Sequence, residues 1–363
     1  MLPGVSTFLE RHFPTPEFLF PHAAGVDVSD TSVKWISLEK KSEGLHVRTY
    51  GSVSISDGVV QQGAIRDAQA FSRILAEVAK KNHIRYAHVA LPEEAAFVFR
   101  MQVPSNTPRE QILNMVEFEL EGRVPLPPAS TVFDYDLLPN QDTDGHQEIG
   151  VVVFPRELAE GYASAFEKAG IMLLSLEIEA RSIARAVTGS ESETVLLVDY
   201  GLSRTGLAVV KEGVPIFTST VDVGGEVITR QVMETCKVER VEAERIKNDE
   251  GLVVVAGDHN TAAASTPHVN SLSDAVSRAY RFWDTRRDEH GAAVSPLSRV
   301  ILVGGSSNLR GIEDYVAGKV QAPVERGNVW QHICSFDTYL PPIDARSSLQ
   351  YATAIGLALR NYL

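Results

Sequence analysis

The strongest constraint on this chain is a short pattern that occurs twice. Val26-Asp27-Val28-Ser29-Asp30-Thr31-Ser32-Val33-Lys34 leaves the end of one predicted strand, and Val198-Asp199-Tyr200-Gly201-Leu202-Ser203-Arg204-Thr205 leaves another. Asp199 follows Asp27 by 172 residues (199 − 27). Each copy continues into a second strand and a glycine-containing turn, Glu43-Gly44 in the first and Glu212-Gly213 in the second. A supersecondary unit repeated in order points to two similar halves. A hairpin turn of small hydroxyl residues offers backbone N–H groups and Oγ donors to phosphate oxygens. The Asp that leaves the strand can hold the waters around a phosphate-bound magnesium ion. Alone, either copy reads equally as a β-hairpin with an Asx turn. As a pair, the two would clamp one nucleotide between two domains.

The rest of the chain fits two domains. Its 363 residues are enough for two cores, and β-type runs alternate with amphipathic helical patterns, the mark of an α/β fold. Asp67 is expected to cap a helix carrying Phe71, Ile74, Leu75 and Val78 on one face. Tyr86–Leu91, Phe97–Val103, Ile149–Phe154, Thr194–Asp199 and Arg299–Val303 read as strands. Thr107-Pro108-Arg109-Glu110 reads as a capping box with Pro at the first helical position. Val124–Pro128 must be extended, since consecutive prolines forbid helix. Gln141–His146 reads as a polar loop and Gly257–Pro267 as a flexible one. The first 21 residues scatter Phe8, Phe13, Phe18 and Phe20 among four prolines, an arm that either docks on its own domain or binds a partner.

Charge and cysteine content narrow the function. With 34 Lys and Arg against 47 Asp and Glu, the formal charge of −13 argues against an electrostatic grip on nucleic acid or anionic lipid. Two cysteines without zinc-type spacing suit a reduced cytoplasmic setting. No run approaches the roughly 18 apolar residues of a membrane span, and no signal peptide is evident.

Three further pieces suit the clamp. Glu244 and Lys247 share one helix face and could grip ribose hydroxyls, although an exposed salt-bridged face looks the same. Gly304-Gly305-Ser306 ends a buried strand in glycines, which lets a planar base lie against bare backbone. Tyr351–Ala358 is a small-residue helix face, the mark of closely approaching backbones at a hinge or in a core.

These residues resemble the actin-like ATP-binding fold, a duplicated ribonuclease H-like α/β architecture with two domains around a nucleotide cleft. Within it the chain resembles the PilM family of type IV pilus assembly proteins, in the branch shared with FtsA, over residues 23–363. The likeness rests on Gly25–Lys34, on Leu91-Pro92-Glu93, on the Glu-rich stretch Val116–Glu121, and on Val124-Pro125-Leu126-Pro127 leading to Phe133-Asp134-Tyr135. It also rests on Glu177–Arg185 as the helix connecting the halves, and on Asp222–Thr229 with its Gly224-Gly225-Glu226 helix start. The resemblance implies an N-terminal arm (1–21), a first domain from 22–90, 155–190 and 341–363, and an inserted subdomain at 91–154. It implies a second domain from 191–221 and 296–340 with an outer part at 222–295.

It further implies ATP and Mg2+ held by Asp27, Ser29, Asp30, Thr31, Ser32, Lys34, Asp199, Gly201, Ser203, Arg204, Thr205, Gly224, Gly225, Glu226, Glu244, Lys247, Gly304, Gly305, Ser306 and Leu309. Asp27 and Asp199 would hold the metal through waters, and Glu179 maps to the acidic residue near the phosphates, the catalytic candidate that would orient an attacking water. Ser29 stands where the family usually has Gly, and Asp30 where it has a neutral residue. Bulk and charge there leave ATP binding expected and efficient hydrolysis not implied. The implied role is a cytoplasmic scaffold, as a ring or other oligomer peripheral to the inner membrane, that holds the cytoplasmic N-terminal peptide of the membrane protein PilN. Phe97, Val98, Phe99 and Leu126 of the inserted piece are candidates for that contact. Two alternatives are an actin-fold sugar or acid kinase, for which no sugar-binding motif is seen, and an FtsA-like cell-division filament protein. The latter would carry a C-terminal amphipathic helix, whereas this sequence stops at Leu363 after the small-residue helix.

Overall fold

The structure is a computed structural model and describes residues 21–138, 145–189, 193–254, 261–287 and 293–363. The first half opens with a three-stranded meander, β1 (Ala23–Val28), β2 (Ser32–Lys41) and β3 (Gly44–Ser54), then the short pair β4 (Val60–Gln61) and β5 (Ala64–Ile65), helix α1 (Ala68–Asn82) and strand β6 (Tyr86–Leu91). An inserted unit follows: β7 (Phe97–Pro104), α2 (Arg109–Arg123), β8 (Thr131–Leu137) and β9 (His146–Pro155). Helix α3 (Arg156–Lys168), strand β10 (Met172–Ile178) and helix α4 (Glu179–Val187) complete the half. The second half repeats the meander as β11 (Thr194–Tyr200), β12 (Thr205–Lys211) and β13 (Val214–Val221). It continues with α5 (Glu226–Cys236), α6 (Arg240–Glu250), α7 (Thr261–Asp284), β14 (Arg299–Val303), α8 (Ile312–Val320) and β15 (Val324–Arg326). Helices α9 (Ala345–Ser348) and α10 (Ala352–Leu359) end the chain.

The duplication foreseen in the sequence extends to the sheets. The first runs β10-β6-β1-β2-β3 and the second β15-β14-β11-β12-β13, with matching parallel and antiparallel pairs. Even the register repeats: Asp27 lies opposite Lys34, and Asp199 lies opposite Gly206. Because side chains alternate faces along a strand, this common register aims both aspartates the same way relative to their hairpin loops.

The cores follow from the apolar runs. β1 is buried along its whole length, as a central strand covered on both faces must be. On one side, Phe71, Leu75, Tyr162 and Phe166 of α1 and α3 cover the first sheet; between the sheets lie α4 and α10, with Ile183, Ala184, Ile355 and Ala358. Helices α5 to α8 cover the far face of the second sheet. A Cβ on Gly25 would overlap the Ala354 carbonyl oxygen, and one on Gly356 would overlap that of Ser182. Close backbone approach is thus the reason for the small residues of α10. The inserted sheet, ordered β7-β9-β8, has its own core of Ile112, Val116, Leu120, Ile149, Val151 and Val153.

Asp67 caps α1 as expected, accepting the Ala70 N–H at 2.9 Å. The capping box at Thr107 does not form. Pro108 occupies the cap position with no side-chain cap bond, and the Thr107 hydroxyl donates back to the Pro104 carbonyl at 2.5 Å. The flexible loop expected at 257–267 is helical from Thr261 onward, because three consecutive alanines favour helix and Thr261 Oγ1 donates to Glu250 Oε2 at 2.6 Å. The N-terminal arm to residue 20, positions 141–144 of the polar loop and 257–260 lie outside the described residues.

Candidate functional site

The two hairpins face one another across a cavity of about 520 Å³. Asp27, Ser29, Thr31, Ser32 and Lys34 line it from the first half; Asp199, Gly201, Ser203, Arg204, Gly304, Gly305 and Ser306 line it from the second. Glu244 and Lys247 of α6 form part of the wall, as does Glu179 at the first turn of α4. Glu93 and Glu94, in the short turn between β6 and β7, line it too, and the sequence reading gave neither a role. Their signal was present, since they directly follow the Leu91-Pro92 end of a buried strand.

The first loop is held by its own serine. Ser29 Oγ accepts the N–H of Ser32 at 3.1 Å and of Thr31 at 3.4 Å, so its hydroxyl occupies the amides of two cleft-lining residues. Asp30 does not line the cavity. Its carboxylate accepts the N–H groups of Gln62 (3.1 Å) and Gly63 (2.9 Å) and pairs with Arg204, so it braces the loop from behind instead of facing the phosphate position.

The second loop is built by residues that the sequence suggested as direct contacts. The Gly201 carbonyl accepts the Gly225 N–H (3.1 Å) and the Ser306 hydroxyl (2.8 Å), and the Leu202 carbonyl accepts the Glu226 N–H (2.9 Å). A Cβ on Gly224 would overlap the Leu202 carbonyl, and one on Gly225 would overlap Ser306. Thr205 donates to the Val223 carbonyl, Glu226 pairs with Arg240, and Leu309 is core. These six positions (Asp30, Thr205, Gly224, Gly225, Glu226 and Leu309) support the loops from outside the lining. Gly304 belongs partly with them: the space beside its Cα is filled by Asp199 and Tyr200 of the hairpin strand, not left bare for a base. Lys247 is buried and donates to Thr229 Oγ1 at 2.9 Å, Glu244 pairs with Arg240 at 3.7 Å, and both line the cavity.

Carboxylates crowd the cleft. Burial, and next to it the Asp27 charge, pushes the Asp199 carboxyl up to about 6, against a smaller opposite pull from Lys34 and Arg204. Burial raises Glu179 well above the carboxylate range, reinforced by Asp27 and Glu93; burial raises Glu93 likewise, reinforced by Asp199 and Glu94. Lys34 answers Asp27 at 3.5 Å. Glu93 Oε1 is buried without a hydrogen-bond partner among the described residues. Acid groups gathered against hydroxyl-rich loops with lysine and arginine nearby suit a polyphosphate with its divalent cation. The donor set therefore fits a metal–nucleotide.

The sequence profile of the family described as type IV pilus assembly protein PilM matches residues 25–362. The chain belongs to that family. Among solved structures it resembles a PilM-PilN type IV pilus biogenesis complex, with TM-score 0.76 and 20% identity over 94% of this chain and 99% of that one. It also resembles the ethanolamine utilization protein EutJ from Carboxydothermus hydrogenoformans (TM-score 0.55, 19% identity, 95% and 91% covered). A third likeness is to MreB5 of Spiroplasma citri bound to ADP (TM-score 0.51, 12% identity, 92% and 94% covered). The fold is thus the actin-like one, as the family resemblance implied. Among the described residues no helix is long and apolar enough to cross a membrane.

A second cavity, also of about 520 Å³, lies where β8 faces β10. Each is an edge strand of its own sheet. Leu91, Val132, Phe154 and Leu176 give it an apolar floor, and Arg181, Arg185, Arg360, Glu177, Asp134 and Asp136 rim it. Phe97, Val98, Phe99 and Leu126 do not line it. They sit on β7 or in the proline stretch, where Phe97, Phe99 and Leu126 pack on the insert's own core, Val98 on the first sheet's core, and Arg123 stacks over Phe99 at 5.2 Å.

Proposed function

We propose that this PilM-family protein is a nucleotide-loaded scaffold at the cytoplasmic base of a type IV pilus machine. It holds the N-terminal cytoplasmic peptide of an inner-membrane protein of the PilN kind, in repeated copies around the base. The groove between β8 and β10 carries the partner half of this reading. Two strand edges with an apolar floor suit an extended peptide, which gains main-chain hydrogen bonds from an edge and side-chain pockets from the floor. Residues 91–154 act in this reading as a subdomain hung on the first domain to form one wall of the groove.

The nucleotide half rests on the matched hairpins. ATP with Mg2+ would lie between them, the cation held through waters by Asp27 and Asp199, the phosphates by Thr31, Ser32, Lys34 and Ser203. The bound cation supplies charge neutralisation for the phosphates. Glu179, on the cleft wall at the first turn of α4, is placed to orient a water, and turnover is at most slow.

The test is calorimetry of the full chain with a synthetic peptide of the PilN-like N-terminal tail. Micromolar affinity is expected, because ordering a flexible segment consumes several kcal/mol of the contact energy. Leu176→Arg should abolish it, and Phe118→Ala, on the exposed face of α2, should leave it unchanged. Undiminished binding to Leu176→Arg would move the peptide away from this groove.

A further inference from the structure

One side chain ties three parts of the fold together across the cleft. Arg204, in the loop between β11 and β12, places Nη1 2.5 Å from Glu94 Oε1 and 3.4 Å from Asp30 Oδ2. Asp30 belongs to the first hairpin, and Glu94 to the turn from which β7 enters the inserted sheet. Asp30 is itself fixed by the N–H groups of Gln62 and Gly63. Gly63 has no room for a side chain against Pro92, and its carbonyl accepts the Tyr162 hydroxyl at 2.8 Å. Both carboxylate oxygens of Glu94 are shut off from solvent, and the charge of Arg204, ahead of Glu94's own backbone N–H, is the main offset to that burial. Yet Arg204 commits one nitrogen to both acids. Its Nε and Nη2 make no hydrogen bond among the described residues, and the side chain lines the cleft.

We propose that Arg204 is a specificity-determining residue that reads the outermost phosphate of a bound nucleotide and, on doing so, releases Glu94 and the start of the inserted sheet. This rests on the nucleotide reading above. A guanidinium with two adjacent free donors matches a phosphoryl group bidentately, and a terminal phosphate carries more charge than one carboxylate. Arg204 drawn to phosphate leaves Glu94 and Asp30 as facing acids in a desolvated place, which the turn at Glu93–Ala95 relieves by moving out. A diphosphate stops one group short and leaves the latch closed. The inserted sheet, one wall of the peptide groove, thereby receives a signal that distinguishes tri- from diphosphate.

The experiment uses the full chain. Calorimetry measures Mg-ATP and Mg-ADP separately on the parent, Arg204→Met and Arg204→Lys, and amide hydrogen exchange follows residues 93–103 with each nucleotide and in Glu94→Gln. The parent should bind ATP about tenfold tighter than ADP. Arg204→Met should bring the two within about threefold by weakening ATP alone, with Arg204→Lys between. ATP, but not ADP, should speed exchange over 93–103, and Glu94→Gln should speed it without nucleotide while keeping the ATP preference. Equal losses for both nucleotides, or exchange indifferent to ATP, would overturn the proposal while leaving nucleotide binding intact. A parent that binds neither nucleotide would sink the nucleotide reading and this inference with it. If Arg204→Met does not fold, Arg204→Lys and the exchange in Glu94→Gln decide the matter.

Discussion

Gly304→Ala is the substitution whose consequence the geometry fixes most tightly. Gly304 closes β14 with φ +86° and ψ 155°, a combination open in practice to glycine alone. Forcing a side chain into such a conformation costs on the order of 1–3 kcal/mol. The new Cβ would also overlap Asp199 Oδ1 and come 2.5 Å from the Tyr200 carbonyl oxygen, so the hairpin strand or the strand end must shift. Overpacking of that kind adds roughly 1–3 kcal/mol, for a total of about 4 kcal/mol. At about 2–4 °C per kcal/mol for domains of this size, the melting temperature should fall by roughly 8–16 °C. The matched control is Gly161→Ala in α3, where the added Cβ meets nothing within 4 Å. There, better helix propensity should leave stability equal or raise it by up to about 1 kcal/mol. Thermal unfolding followed by circular dichroism, without nucleotide, reads both. A Gly304→Ala protein melting within about 2 °C of the parent would refute the packing of this strand end against the second hairpin.

Three further outcomes follow from the cleft. Asp199, Glu93 and Glu179 are all raised in the folded protein, so these three groups bind more protons folded than unfolded; the ligand-free stability of the parent relative to Asp199→Asn should therefore fall as pH rises from about 4 through 6. A parent-minus-variant difference in melting temperature that is flat or rises over about pH 4–6 would contradict this. Ser29→Gly frees the Thr31 and Ser32 amides and should tighten Mg-ATP binding by about three- to tenfold, read by calorimetry; unchanged or weaker binding would show that these amides do not meet phosphate. Glu179→Gln should leave the ATP dissociation constant within about twofold and lower any phosphate release, and turnover equal to the parent's would remove Glu179 from the reaction.

What could be read from the sequence was whatever local pattern sets. The paired hairpins, the strand ends at Leu91 and Val303 and the tight face of α10 all announce themselves through apolar runs, turn residues and glycine. The register match of Asp27 with Lys34 and Asp199 with Gly206 is the same information in three dimensions. Side-chain direction was not legible. Gly224, Gly225 and Thr205 share the motifs of the phosphate loop yet brace it from outside, because a few residues of helix start must fold under the loop to fix it. Glu93 and Glu94 gain their place only when the end of β6 meets the second hairpin, far away in sequence. The groove between β8 and β10 arises where two sheets end side by side, and no single segment encodes it.

The central claim is that the two hairpins together hold a metal–nucleotide, and ligand-induced thermal stabilisation tests it most directly. The parent should melt higher in Mg-ATP than in buffer, by the equivalent of about 2.7 kcal/mol at a hundredfold excess over the dissociation constant. Asp199→Ala, which removes the cleft-lining carboxylate of the second hairpin, should show no such gain. A parent whose melting temperature is indifferent to millimolar Mg-ATP, or an Asp199→Ala protein stabilised as much as the parent, would contradict the account.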